Sequence, residues 1–316
     1  MLSLLLFSLQ VTLPIAVLVL LGVLFMRLDW INEPFNKGAS KLVFNVALPS
    51  LLFVSIVKAD ADSGINWTII GFGVVFTLAS FVVLSILSHW VTAIREERGV
   101  FVQGSFRGNM GIVGLGFCIS AFGAEGATLA SIYLAALSLL YNVLAVVTLN
   151  RWKQSGESTN VVLSTLTSLV KNPLIIAIVI AGCWRVSGIH VPEFIVESAG
   201  YLAQMTLPLA LLSIGASLSW AGFVSAGKVT AWASVLKLIV IPYLAATVAY
   251  LLGFRGMELG VMYLMMATPT AAASYMMVRA MGGNASLAAS IIAVTTVCSL
   301  FTTSFGLVVM KALHWI

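Results

Sequence analysis

Charge is scarce in this sequence, and negative charge most of all: eleven Asp and Glu stand against sixteen Lys and Arg in 316 residues. Soluble domains are charged at about a quarter of their positions. Here 9% of residues are charged and 60% apolar, with a mean hydropathy of +1.08, which excludes a solvated surface and leaves no stretch for a large soluble domain. Cysteine is nearly lacking too. Cys118, Cys183 and Cys298 lie far apart in apolar runs, without CxxC or metal-ligand spacing, and read as small buried hydrophobes. His89, His190 and His314 sit near expected helix ends with no partner spacing. No HExxH motif, deep pair of Asp residues or Ser-His or Ser-Lys pair is present, so neither an enzyme nor a metal or other cofactor is expected. The basic residues are scattered at the edges of apolar runs. They form no stripe for a phosphate backbone, and nucleic acid is excluded as a partner.

What is present is one apolar run after another. A membrane-spanning helix takes about 20 residues, and with its loop about 30, so the length suits about ten spans. Charge-bounded runs predict helices near 3–26, 38–57, 66–90, 99–122, 126–150, 165–186, 196–220, 226–252, 257–280 and 286–311. The expected fold class is an all-α polytopic membrane protein, with the lipid bilayer as its surroundings. The first charge is Arg27, so the leading apolar run lacks the basic start of a cleavable signal and reads as helix one.

The longest polar stretch, around Arg151 to Asn160, falls midway and marks a linker. The chain divides into a five-helix unit over 1–150, a short cytoplasmic linker over 151–164 and a second unit over 165–316. The halves match at one fixed offset. Pro14 and Pro173, Pro49 and Pro208, and Gly123 and Gly282 each stand 159 residues apart (173 − 14 = 208 − 49 = 282 − 123 = 159), in different helices. A five-helix unit ends on the side of the membrane opposite to its start, so its copy must enter inverted. Two inverted repeats of this kind, with substrate near the midplane, are a common transporter architecture.

Lys and Arg near helix ends set the expected orientation. With both termini outside, Arg27, Lys37, Lys41, Arg95, Arg98, Arg151, Lys153, Lys171, Lys228 and Arg279 are cytoplasmic, whereas Lys58, Arg185, Arg255 and Lys311 face outward.

Two helices are unfit to run as plain rods. Helix four carries Gly104, Gly108, Gly111, Gly114 and Gly116 around Arg107, Asn109 and Met110; helix nine carries Pro269 at its centre, between Thr268 and Thr270 and just before Ser274. The repeat offset pairs Met110 with Pro269 (269 − 110 = 159). Matched interruptions point to a substrate site, since freed amides and half-helix amino termini hold anions. The rival reading is close packing at the glycines and a mere kink at the proline. Arg107 and Lys237 are the basic residues deep in the expected spans, with no Asp or Glu at comparable depth. They either meet an anion, cap carbonyls of the broken helices or snorkel to an interface. Asn45 with Pro49 and Gln204 with Pro208 form a second matched pair, whose amides either face substrate or bond across helices.

Taken together, Lys41-Leu42-Val43-Phe44-Asn45-Val46-Ala47-Leu48-Pro49, Arg107-Gly108-Asn109-Met110-Gly111, Asn172-Pro173-Leu174, the Pro208 to Leu218 run and Ala267-Thr268-Pro269-Thr270 resemble the auxin efflux carrier family. Bacterial malate-permease-like members belong to that family, and plant auxin exporters and bile acid symporters lie near it. The resemblance implies crossed, unwound helices four and nine in a mobile transport domain of helices 3–5 and 8–10. It also implies a scaffold of helices 1, 2, 6 and 7 that often forms a homodimer. Organic anions are the implied substrates, with Asn109, Met110, Gly111 and the Thr268 to Thr270 stretch at the crossover. Two features depart from the family: Gly116 stands where many relatives place a proline, and the central linker is far shorter than in plant exporters, which points to a bacterial inner membrane. The function expected is secondary transport of a small organic anion by elevator-type alternating access, as efflux or uniport. Sodium- or proton-coupled symport and an anion channel are the alternatives.

Overall fold

The computed structural model describes residues 2–58, 67–152, 173–187, 191–218 and 226–316, and among these the secondary structure is helical throughout, apart from one isolated backbone bridge. The chain opens with α1 (Leu2–Arg27), a continuous apolar helix that accommodates Pro14. Asn32 caps α2 (Glu33–Leu42), its side chain accepting from the Phe35 amide at 2.9 Å. The same rod continues through a π-turn at Val43–Ala47 into α3 (Leu48–Val57). Pro49 has no N–H to give the Asn45 carbonyl, and the wider turn, with Leu48 donating to Val43, relieves the mismatch.

Next come α4 (Trp67–Val91) and α5 (Arg95–Phe106). After a break and a π-turn at Met110–Gly114, α6 runs over Leu115–Arg151. The helices expected at 99–122 and 126–150 therefore differ from separate rods: the first is interrupted near its middle, and its second half joins the other across a bend at Gly123. That residue adopts φ 62° and ψ −145°, which only glycine tolerates easily.

The second half holds α7 (Pro173–Ser187), α8 (Glu193–Gln204) and α9 (Thr206–Ala216). The expected helix at 165–186 is described from Pro173 onward, and its first residues lie outside the described ones. A turn at Met205 separates α8 from α9, where Pro208 deprives the Gln204 carbonyl of its donor. Then follow α10 (Lys228–Val235), a π-turn at Leu236–Val240, α11 (Ile241–Leu251), α12 (Gly256–Met266), α13 (Ala273–Ala280) and α14 (Ala285–Ala312). Expected helix nine is thus two helices, α12 and α13.

Among the described residues, seven helices are long and apolar enough to cross a membrane, among them Leu6–Arg27, Trp67–Val91 and Ala285–Ala312; α7 and α12 are shorter apolar helices. Their outer faces suit hydrocarbon. Leu6, Leu9, Leu13, Val17, Leu20 and Leu24 of α1 all lie exposed, a ridge that water would not tolerate. Inside, hydroxyls bond back to the preceding turn, as Ser105 does to Phe101, Ser131 to Ala127 and Thr148 to Leu144, so no polar hydrogen is left bare in these cases.

Small residues bring backbones together. At the α1–α9 crossing, a methyl group on Gly22 would collide with the Leu212 carbonyl and one on Gly215 with the Val19 carbonyl. Helix α3 packs on α7 and α8, while α12, buried from Leu259 to Met266, packs against α6 and α11.

Candidate substrate site at two facing helix breaks

The last turn of α5, Gln103 to Phe106, is fully enclosed, with Gly104 against Ile291 of α14. Beyond Phe106 the chain leaves helical geometry: Arg107 is extended (φ −81°, ψ 101°) and Asn109 sits at φ −81°, ψ 57°. Opposite, α12 ends at Met266 and the chain is non-helical through Pro269 until α13 begins. The physical causes are those already given, a glycine-rich run on one side and a proline without a donor on the other.

These two breaks pair with each other. Gly108 and Thr270 form an antiparallel bridge, the Asn109 amide donates to the Pro269 carbonyl at 2.7 Å, and the Ala271 amide donates to the Arg107 carbonyl at 3.0 Å. Backbone groups released by one interruption are satisfied by the other, which is what a low-dielectric interior demands. Side chains complete the joint. The Thr270 hydroxyl donates to the Gly104 carbonyl at 2.6 Å, the Thr295 hydroxyl accepts from the Thr270 amide at 3.1 Å, and Thr268 donates to the Met265 carbonyl at 2.9 Å.

Both deep cations attend this joint. Lys237, 0% exposed in the π-turn before α11, donates to the Met266 carbonyl at 2.8 Å and so caps the end of α12. A methyl group on Gly108 would strike the Thr268 hydroxyl and come within 3.0 Å of the Lys237 ammonium, which explains why this position has no side chain. Arg107, 8% exposed, donates to the Asn142 side-chain carbonyl at 2.7 Å and touches the Met277 sulfur. Among the described residues neither cation meets a carboxylate; the ion pair present is the exposed Lys37–Glu33 contact at 3.6 Å. Isolated buried charge is costly.

The expected site residues separate into two groups. Met110, Thr268, Pro269, Thr270 and Ser274 are buried at the joint, whereas Asn109 and Gly111 remain half-exposed at the amino end of the π-turn that leads into α6. No hydrogen bond engages the Asn109 side chain among the described residues, so its amide is the free polar group at the rim. Asn45 and Gln204 are exposed, and Asn45 donates to the Lys41 carbonyl of its own helix at 2.7 Å. Sequence reasoning missed Asn142, Gln103 and Thr295. Asn142 was signalled by its amide within the apolar run of helix five; Gln103 stands four residues before Arg107, and both side chains reach the Met277 sulfur. The side-chain Oε1 of Gln103 and the Ser274 hydroxyl line a narrow cleft with Val100, Thr270 and Ile291, buried without hydrogen-bond partners among the described residues. No group of three His, Cys, Asp or Glu able to hold a metal occurs among the described residues.

Comparison with known proteins gives a family. The model of the family described as membrane transport protein matches residues 7–307. An uncharacterized transporter of Methanocaldococcus jannaschii is 27% identical over 314 residues, covering 97% of this chain and 98% of that protein. A second, from Methanothermobacter thermautotrophicus, is 26% identical over 312 residues, covering 96% and 98%. The uncharacterized transporter YfdV of Escherichia coli is 27% identical over 297 residues, covering 89% and 92%.

Proposed function

Because the chain belongs to the membrane transport protein family, we propose that it moves a small organic anion, either a carboxylate such as an auxin-like weak acid or a dicarboxylate, by elevator-type alternating access. The observation that carries this reading is the joint between the Arg107–Asn109 and Pro269–Ala271 breaks, with two cations buried beside it and, among the described residues, no carboxylate to pair them. The anion docks at the rim formed by Asn109, Met110 and Gly111, where the first amides of the half-helix lack a preceding turn. Thr268, Pro269, Thr270 and Ser274 shape the floor. Arg107 and Lys237 supply positive potential from behind it.

Two inverted five-helix halves form the frame. Supporting this, Gly123 and Gly282, 159 residues apart, both adopt positive φ, 62° and 74°, and both Pro49 and Pro208 disturb the turn before them. The scaffold is α1 to α3 with α7 to α9, whose helices pack on one another; two copies pair through it. The remaining helices carry the site past it. The chain sits in a bacterial inner membrane with both termini outward, an orientation that the lopsided distribution of Lys and Arg supports.

An inside-negative membrane drives an anion outward by about 2.3 kcal/mol per charge per 100 mV, so efflux requires no coupling ion. Proteoliposomes with an imposed potential and no sodium or pH gradient test this. Saturable flux of a labelled carboxylate that follows the potential and is stimulated by the same anion on the far side supports the uniporter. Flux only with a sodium or proton gradient indicates the symporter instead. Flux that neither saturates nor shows counterflow indicates a channel and sinks the carrier.

A further inference from the structure

At one end of α4, away from the joint, three arginines gather around a single indole. The Arg98 guanidinium carbon lies 5.5 Å from the centre of the Trp152 ring and that of Arg151 lies 5.2 Å from it. Arg95 donates to the Arg151 carbonyl at 3.3 Å, which adds a third guanidinium to the cluster. Trp152 is 7% exposed, and His89 meets its ring edge-on at 5.1 Å, so the indole is a fixed platform. Two acids lie nearby on α5. Glu97 accepts from the Thr92 hydroxyl at 2.7 Å, and among the described residues neither Glu96 nor Glu97 forms an ion pair with any of the three arginines. Arg98 donates to the Thr92 carbonyl at 3.0 Å and the Ala93 carbonyl at 3.4 Å. A guanidinium has five N–H donors, so several on each arginine are free for a further acceptor.

Three like charges held together with no ion-paired carboxylate among the described residues repel one another and call for a counter-anion. The position of the cluster identifies its source. The span Trp67–Val91 has just ended and the span Met110–Leu149 has just ended beside it, so the guanidiniums stand at headgroup depth. Below them an apolar ridge faces outward: Ile86 is 54% exposed, Trp90 is 75% exposed one turn on, and Ile94 is 57% exposed after the helix end. A basic rim over an apolar ridge matches a molecule with a phosphate at one end and hydrocarbon at the other.

We propose that Arg95, Arg98 and Arg151 bind the phosphate of an anionic phospholipid, whose chains lie along Ile86, Trp90 and Ile94. Guanidinium suits phosphate because paired N–H groups match two of its oxygens. The bound lipid ties α4, α5 and the end of α6 together at one membrane face, independently of the anion carried at the joint.

Full-length protein in nanodiscs of phosphatidylcholine with phosphatidylglycerol, released and weighed by native mass spectrometry, tests the proposal. Wild type retains phosphatidylglycerol in preference to phosphatidylcholine. The triple variant Arg95→Gln, Arg98→Gln, Arg151→Gln loses that retention by about 100-fold, roughly fivefold per arginine, whereas Arg255→Gln at another site does not. Should the triple variant fail to fold, Arg95→Gln alone, exposed and making one bond to Arg151, loses about fivefold. Equal retention in wild type and variants overturns the proposal. Displacement of the lipid by an equal concentration of soluble glycerol phosphate also overturns it, assigning the cluster to soluble anions instead.

Discussion

The Asn109 amide reaches the Pro269 carbonyl across 2.7 Å, joining the interruption of one half of the chain to that of the other. With the return bond from Ala271 to the Arg107 carbonyl at 3.0 Å, neither break exposes its polar backbone to hydrocarbon. The joint can therefore persist inside a membrane, and its side chains are displayed by a fixed frame.

Gly108 is the position where that frame has least room. A Gly108→Ala change drives a methyl group into Thr268 and Lys237, and overpacking of this kind costs about 1–3 kcal/mol. Flux per folded molecule in proteoliposomes is expected to fall at least tenfold, with the melting temperature in detergent lowered by several degrees. Unchanged flux would show that the joint tolerates displacement and is not the site.

Lys237 holds the Met266 carbonyl, and its ammonium lies 3.0 Å from where a methyl group on Gly108 would stand. Lys237→Met keeps the volume, removes the cation and leaves that carbonyl bare, at a cost of about 1–3 kcal/mol. Concentration dependence of uptake reads the outcome: a raised KM at least tenfold beyond wild type supports electrostatic attraction of the anion, while a loss of thermal stability with KM unchanged reduces Lys237 to a helix cap.

Arg107 and Asn142 are predicted to act as a unit, because the 2.7 Å bond links the break to α6. In a double-mutant cycle of Arg107→Met and Asn142→Leu, the thermal stability changes should fail to add by about 1.5–3 kcal/mol, the range for bonds to a charged group. Simple additivity would dissolve the link.

Much of this was legible in the residues. Scarce charge and repeated apolar runs predicted a helical membrane protein, and Pro269 and the glycines around Asn109 predicted interruptions where the structure has them. The pairing of the two breaks was not legible, since backbone bonds between residues 160 (269 − 109) and 164 (271 − 107) apart leave no local pattern. The π-turns escaped for a related reason: Pro49 and Pro242 announce a disturbance, but whether the helix kinks, breaks or widens depends on the neighbours packed around it. The Thr268 and Thr270 hydroxyls donate to the carbonyls of Met265 and Gly104, bonds that leave no pattern in the sequence.

The α1–α9 crossing should be stiff. Gly215→Ala pushes a methyl group into the Val19 carbonyl, so the two helices must separate. Melting in detergent is expected several degrees lower, with the KM for the anion within about twofold of wild type if overpacking strain of about 1–3 kcal/mol stays local to the crossing. A changed KM with normal stability would place this crossing in the binding site.

Direct binding of labelled carboxylates to purified protein tests the central claim, using wild type beside Asn109→Ala, Arg107→Ala and Lys237→Ala. Each variant should weaken binding of the carboxylate that wild type prefers, Asn109→Ala through a lost rim amide and the other two through lost potential. Undiminished binding in all three folded variants would contradict the placement of the anion where the two halves of the chain meet.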